Sequence, residues 1–246
     1  MTETTTARVA LVLGGSGGIG KAIVTKLAGE GYALAVHYAG NKQKAEDLVA
    51  TLTADGVQAI ALGGDVADEQ AMEALFTQVE QQLGGVDVVI NTAGVMMLGP
   101  VATYDLGLFD AVMRTNVRGT FVVSQQAARR VREGGAIINF STSVTRTQFP
   151  NYGAYVASKS AVEGLTMILA RELRGKNITV NTVAPGPTAT PLFMDGKDDE
   201  TIERLANAAP LERLGTPEDI AETVAHLAGP ARWINGQVIF ANGGLA

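Results

Sequence analysis

Short apolar runs alternate with helix-periodic segments along the whole chain, and this alternation constrains the fold more than any other feature. RVALVL (8–13), ALAVHY (33–38), VQAIAL (57–62), VDVVIN (86–91), AIINFS (136–141), ITVNTVA (178–184) and GQVIFA (236–241) read as strands. Between the early runs, apolar residues recur at three- and four-residue spacing, the mark of a helix with one buried face. Ile23, Leu27 and Ala28 do so ahead of a stop at Gly31, and Met72, Leu75, Phe76 and Val79 do so within 68–83. Further helices are expected over 42–55, 153–174, 198–208 and 217–228, with two more sharing 105–133. Strands that are apolar at nearly every position are buried on both faces, so the sheet is parallel and helices cover both sides. Right-handed crossovers then make the fold class a doubly wound α/β domain around a seven-stranded parallel sheet. No repeat, linker or composition break divides the 246 residues, and with 46% hydrophobic residues they can bury one large core. One domain over 1–246 is therefore expected, with a ligand-holding part over about 1–150.

In such a sheet the ligand crevice lies beyond the carboxyl ends of the strands. VALVLGGSGGIG (9–20) carries the first strand into that crevice through a loop of nearly bare backbone, and a helix begins near Ile19. A helix start offers unpaired N–H groups and partial positive charge, which suit a pyrophosphate. Gly14 permits the tight turn, Gly18 a close backbone approach, and Gly20 the packing of helix on strand; the spacing is G-x-x-x-G-x-G rather than G-x-G-x-x-G. Dinucleotide sites for NAD usually carry an acid at the end of the second strand, on the ribose 2′-hydroxyl. Here Tyr38 takes that place and Asn41, Lys42 and Lys44 follow. Polar and basic groups attract a 2′-phosphate that an acid would repel, so NADP(H) is expected over NAD(H). Lys42 and Lys44 also read as the solvated first turn of a helix.

Composition narrows the function further. There is no cysteine, and His37 and His226 are far apart, so neither a disulfide framework nor a zinc site is expected, and no metal. A net charge of −6 speaks against nucleic-acid binding. No apolar run approaches the ~20 residues of a membrane span, and MTETTTAR lacks the apolar core of a secretory leader. A cytoplasmic protein without membrane or nucleic-acid partners is expected.

YVASKSAVEGL brings a second kind of chemistry. Tyr155 and Lys159 stand four apart on a helix and share a face. An ammonium near a phenol favours the phenolate, whereas burial opposes it. Residues 185–200, PGPTATPLFMDGKDDE, hold three prolines, three large apolar residues and a run of acids. They read either as a plain surface loop or as a mobile lid over a site.

Several motifs in one order resemble the short-chain dehydrogenase/reductase family over essentially the whole length. LGGSGGIG matches the family's T-G-x-x-x-G-I-G with Leu13 in place of threonine, NTAG (91–94) its N-N-A-G, TNVRGTF its helix asparagine, Tyr155 and Lys159 its Y-x-x-x-K, and Pro185–Gly186 its P-G. ITVNTVAPGPTAT and NGQVIFANGG are most similar to 3-oxoacyl-acyl-carrier-protein reductases and related carbonyl reductases. The resemblance implies a Rossmann-type fold and an oxidoreductase that reduces a carbonyl, free or thioester-linked, to a secondary alcohol. It implies Tyr155 as proton donor, Lys159 as its electrostatic partner and a holder of the nicotinamide ribose, and Asn116 as the holder of a water on a proton path. Thr142 stands where the family usually has a serine on the substrate oxygen, with Ser141 and Ser143 flanking it as alternatives. The implied cofactor set is Gly14, Ser16, Gly17, Gly18, Ile19 and Gly20 in the loop, and His37, Tyr38, Asn41 and Lys42 after the second strand. It continues with Asp65 and Val66, with Asn91, Ala93 and Gly94, and with Pro185, Gly186, Thr188 and Thr190, beside Tyr155 and Lys159. Asp65 also reads as a helix cap, and Thr188 and Thr190 as residues that only order their loop. A substrate loop is implied over about 186–210. Arg129, Arg130 and Arg132, with Arg171 and Arg174, read as a solvated face or as a dock for an acidic carrier. The resemblance also implies a homodimer or homotetramer through the helices of 105–133 and 153–174. Two other readings use the same scaffold: a dinucleotide sensor without chemistry, and an epimerase or dehydratase that retains its cofactor.

Overall fold

The computed structural model describes residues 7–246; the opening residues read above as lacking a leader lie largely outside the described residues. Seven parallel strands form one sheet in the order β3-β2-β1-β4-β5-β6-β7. They are β1 (Val9–Leu13), β2 (Ala33–Tyr38), β3 (Ala59–Gly63), β4 (Val86–Asn91), β5 (Val131–Phe140), β6 (Thr179–Pro185) and β7 (Val238–Ala241). The chain winds outward from β1 to β3, returns to β4 beside β1, and winds outward again. The reversal between β1 and β4 opens the crevice at their carboxyl ends.

Alternate residues of each strand feed opposite cores. Val12, Ile90 and Ile138 pack with Ile23 and Leu27 of α1 (Gly18–Gly29) and Ile220 and Val224 of α10 (Pro217–Ala228). Leu11, Val89 and Ile137 face the other way, onto Phe76 of α3 (Glu69–Leu83), Val123 of α5 (Gly119–Arg130) and Leu169 of α7 (Gly153–Glu172). α2 (Lys42–Ala54) covers the β2–β3 edge, and α4 (Leu106–Met113) leads into a π-helical turn at Arg114–Arg118. Short helices α6 (Val144–Thr147) and α8 (Pro191–Met194), then α9 (Asp199–Asn207), lie at the crest.

Three departures from the expected layout have a visible cause. The helix expected to reach 133 ends at Arg130, because Val131 pairs with Val86 and Arg132 with Asp87 at 2.5 Å, which draws the chain into β5. β7 begins at Val238 rather than 236, since Gly236 sits at φ +70° outside the extended region. The stretch 185–200 is not wholly irregular: Thr190 caps α8 through Phe193 N–H, with Pro191 in its first turn.

Candidate active site

The loop after β1 forms a cradle that side chains would fill. Gly14 lies at φ +73°, and a Cβ there would come within 2.8 Å of Thr92 Oγ1. At Gly20 a Cβ would lie 2.2 Å from Gly14 O, so the start of α1 folds directly onto the loop. At Gly18 it would come within 3.1 Å of the Thr190 side chain. Gly17 caps α1 without a side-chain bond, which leaves the amides of Gly18, Ile19 and Gly20 as the free donors of a helix start. Ser16 lies half-buried at the rim.

His37 holds this loop from beneath. It is fully buried; Nδ1 accepts from Gly14 N–H at 3.1 Å and Nε2 pairs with Gly64 O at 2.9 Å. A backbone N–H can only donate, so Nδ1 is the acceptor and Nε2 carries the proton. Burial holds the imidazole below its usual range and keeps it neutral. The ring expected at a cofactor therefore has both nitrogens engaged with the protein and positions the loop instead. Asn91 and Val66 also turn their side chains away from the cradle. Asn91 Nδ2 donates to Thr120 Oγ1 at 3.2 Å, and Val66 packs where a Cβ on Gly119 would meet it at 2.7 Å. Both side chains turn into the α5 side of the core, so only their main chain can face the crest.

At the end of β2, the Tyr38 ring lies across Gly63, where a Cβ would touch it at 2.9 Å. Asn41 Oδ1 caps α2 by accepting from Lys44 N–H at 3.0 Å. Lys42 is 67% exposed and lies 3.2 Å from Glu46, which raises its ammonium pKa. No acid stands at this strand end. Asp65 accepts from Ala67 N–H at 2.9 Å and pairs with Arg114 at 2.5 Å. Burial pushes its carboxyl up, and these two partners outweigh that and hold it low. The cap of α3 is Asp68, through Ala71 N–H, and not Asp65.

The reacting residues converge beyond β4 and β5. Lys159 is buried in α7; its Nζ donates to Phe140 O at 2.9 Å and lies 5.8 Å from the centre of the Tyr155 ring. Burial lowers Lys159 to about 8. Of the two opposing effects on the Tyr155 phenol, burial prevails. Burial raises it to about 12, the Thr142 hydroxyl that hydrogen-bonds it works the other way, and Tyr152 adds to the rise. Desolvation of the phenolate exceeds what an ammonium engaged with a carbonyl returns. Asn116 sits fully buried in the π-helical turn, where Oδ1 accepts from Val95 N–H and Nδ2 donates to Val95 O and to Ser158 Oγ, each at 2.9 Å. A Cβ on Gly94 would lie 3.2 Å from both Asn116 Oδ1 and Lys159 Nζ, so only glycine leaves that space open.

Three neighbouring hydroxyls separate by their partners. Ser141 donates to Glu163 at 2.6 Å and Ser143 to Ala184 O at 3.2 Å. Thr142 Oγ1 accepts from Val144 N–H at 3.3 Å, keeps its own O–H free, and neighbours the Tyr155 hydroxyl. Glu163 also accepts from Thr145 at 2.8 Å, so it anchors the turn from both ends. Thr188 donates to Gly186 O at 2.9 Å, and Thr190 caps α8; both order the loop while lining the site. A cavity of about 140 Å³ joins these groups. It is bounded by Ile19 and Gly94 on one side, Thr142, Tyr155 and Lys159 behind, and Pro185, Gly186, Leu192 and Phe193 above. Ser158, Glu163, Phe149 and Tyr152 were absent from the sequence-based set. Ser158 and Tyr152 flank Tyr155 at three-residue spacing, a signal that could have found them.

Residues 14–246 match the family model described as enoyl-(acyl carrier protein) reductase. A "short-chain type dehydrogenase/reductase" of Picea abies is 42% identical, over 96% of this chain and 92% of that protein. The chain belongs to the short-chain dehydrogenase/reductase family. Its members are oxidoreductases that act on C=O and CH–OH groups. Among them, the 3-oxoacyl-acyl-carrier-protein reductase of Staphylococcus aureus is 42% identical, over 96% of this chain and 97% of its own. The crystal structure of a blue fluorescent protein from a metagenomic library, in complex with NADPH, superposes with a TM-score of 0.92 at 38% identity. That match covers 99% of this chain and 100% of the other. The dehydrogenase/reductase fold thus spans the seven strands and the crest described above.

Proposed function

We propose that the protein is a cytoplasmic NADP(H)-dependent reductase that converts a ketone to a secondary alcohol, with Tyr155 as the proton donor. The observation that carries this reading is the meeting of Thr142, Tyr155 and Lys159 at one cavity wall, opposite a glycine cradle. The cradle fits a dinucleotide: side chains at Gly14, Gly18 or Gly94 would collide with neighbours, and the start of α1 holds free amides. The absence of an acid after β2, with Tyr38 and Lys42 there instead, favours a 2′-phosphate. When bound, NADPH supplies the hydride that the carbonyl carbon receives.

The chain's own residues do the rest. Thr142 donates to the carbonyl oxygen and orients it. Tyr155, raised to about 12, stays protonated at neutral pH and passes its proton to that oxygen as negative charge develops there. Lys159 lies behind the phenol and is mostly charged below about 8; it steadies the phenolate left after transfer. Asn116 holds Val95 and Ser158, and so fixes the floor on which Lys159 moves a proton inward.

Of the arginines that could dock a carrier, Arg130 pairs with Glu80 at 2.7 Å and Arg132 with Asp87 at 2.5 Å. Arg129, Arg171 and Arg174 pair with no acid among the described residues and remain available to a thioester-linked substrate. Phe121, Met167 and Ile168 are exposed on α5 and α7, which favours a homodimer or homotetramer through those helices. No described helix is long and apolar enough to cross a membrane.

Tyr155→Phe tests the assignment. Turnover of NADPH against a ketone panel is expected to fall about 10³-fold, while NADPH affinity by fluorescence stays within about threefold. Turnover equal to the parent enzyme's would remove Tyr155 from the mechanism.

A further inference from the structure

The cavity is lined by more hydroxyls than a single carbonyl oxygen needs, and most of them are already committed. Thr92 donates to Leu13 O at 2.7 Å, Ser141 to Glu163, Ser143 to Ala184 O and Thr188 to Gly186 O. Thr142 and Tyr155 face one another. One further phenol remains. Tyr152 lines the same cavity, is half-buried, and its hydroxyl has no hydrogen-bond partner among the described residues. Its ring is fixed edge-to-face between two aromatics, Phe149 at 6.1 Å and Tyr155 at 6.4 Å. A ring held this way is an oriented donor and loses little freedom when it binds.

We infer that Tyr152 donates a hydrogen bond to a second oxygen of the substrate, beside the carbonyl that is reduced, and so selects compact, neutral dicarbonyl substrates over simple ketones. The inference rests on the reductase reading and names a specificity-determining residue for that site. Burial raises the Tyr152 phenol, so it is a donor and not an acceptor anion at neutral pH. Neutrality follows from the wall. Lys159 is the one charged side chain among the described lining residues, and its ammonium is engaged with Phe140 O behind the phenol. A free keto acid would find no cation there, and burying an unpaired carboxylate is expensive. Met96, Val144, Leu192, Phe193 and Leu205 supply the remainder, which favours short apolar arms. A sugar would leave its other hydroxyls unpaired against them. Diketones and 3-oxoacyl esters or thioesters share the required chemistry: one carbonyl to be reduced and a second oxygen close by to be held.

Three ketones separate the terms: 2,4-pentanedione, 2,3-pentanedione and 2-pentanone, with acetoacetyl-N-acetylcysteamine as the thioester arm. Intrinsic electrophilicity differs among them, so the readout is how the selectivity ratio changes on mutation. Tyr152→Phe is expected to lower kcat/KM for the dicarbonyls relative to 2-pentanone by about tenfold, one lost hydrogen bond. Whether the two diketones or the thioester lose most identifies the spacing read. A second arm needs no turnover. In the Tyr155→Phe background with NADPH bound, adding Tyr152→Phe is expected to weaken dicarbonyl binding by a similar factor, measured by calorimetry. An equal fall for all ketones, or unchanged dicarbonyl binding in the double variant, overturns the proposal and leaves Tyr152 as packing. If the parent enzyme reduces none of them, the reductase reading falls, and the binding arm still decides whether Tyr152 reads a second oxygen.

Discussion

The two halves of the crest are built from different materials. On the β1–β2 side the walls are main chain: glycines that exclude side chains, and polar groups such as the buried His37 and the half-buried Thr92 that bond to backbone atoms. On the β5–β6 side the walls are side chains, and the loop above exposes Leu192, Met194 and Leu211 by 55%, 38% and 64%. The first half presents a fixed set of amides to a ligand of invariant shape. The second presents apolar surface that one substitution can reshape. The proposed reaction draws on both, and Tyr155 and Lys159 stand at their junction.

Lys159 tests that junction with the largest effect after Tyr155. Its ammonium is buried, and its pKa falls from 10.5 to about 8. Between those values the unfolded chain binds more protons than the folded one, so stability rises with pH there. Below about 8 both states are charged and the whole penalty is present, on the order of 3 kcal/mol before the bond to Phe140 O offsets part of it. Lys159→Met is therefore expected to lower turnover about 10²-fold or more and to raise the thermal midpoint at pH 7 by a few degrees. At pH 10 and above the gain in midpoint shrinks. A variant that loses activity and stability together would show that the amine is structural. In the parent enzyme, reduction is expected to decline as pH rises through about 8, while the phenol remains protonated.

The same division explains what could be read from the chain alone. The strands are legible because burial on both faces makes them apolar throughout, and only their ends shift, where Gly236 or the Arg132–Asp87 pair decides. The π-helical turn at Arg114–Arg118 is not legible. It exists to aim Asn116 at Val95 and Ser158, partners that no local pattern reveals. Tyr155 and Lys159 are legible since four-residue spacing on a helix fixes a shared face. The choice among Ser141, Thr142 and Ser143 is not, because it depends on Glu163 and Ala184, far along the chain. For His37, Asn91 and Val66 the chain alone places the residue near the crest but not the direction of its side chain, which contacts with Gly14, Thr120 and Gly119 fix.

In the main-chain half the glycines admit no side chain, and elsewhere a substitution matters chiefly where a side chain meets a charge. Lys42 is such a place, exposed at the end of β2 and held only by Glu46 at 3.2 Å. A surface pair of this kind contributes little, so a phosphate can take Glu46's place. Lys42→Glu is expected to raise the NADPH dissociation constant about 10–50-fold. NADH should change by less than about threefold, both followed by fluorescence titration. Equal weakening of the two cofactors would move the 2′-phosphate away from Lys42.

The smallest effect should come from the side-chain half. Leu192 lines the cavity from α8 and is 55% exposed, so a substrate would cover part of its side chain rather than all of it. Truncation to alanine removes part of the contact a buried leucine would make, about 1 kcal/mol. The Thr190 cap and Pro191 are untouched, so α8 keeps its start. Leu192→Ala is expected to raise KM for the ketone about fivefold with little change in kcat and none in NADPH affinity. If NADPH affinity fell by the same factor, the loop would belong to the cofactor half through its contact at Gly18, and the boundary between the halves would run through α8 instead of beside it.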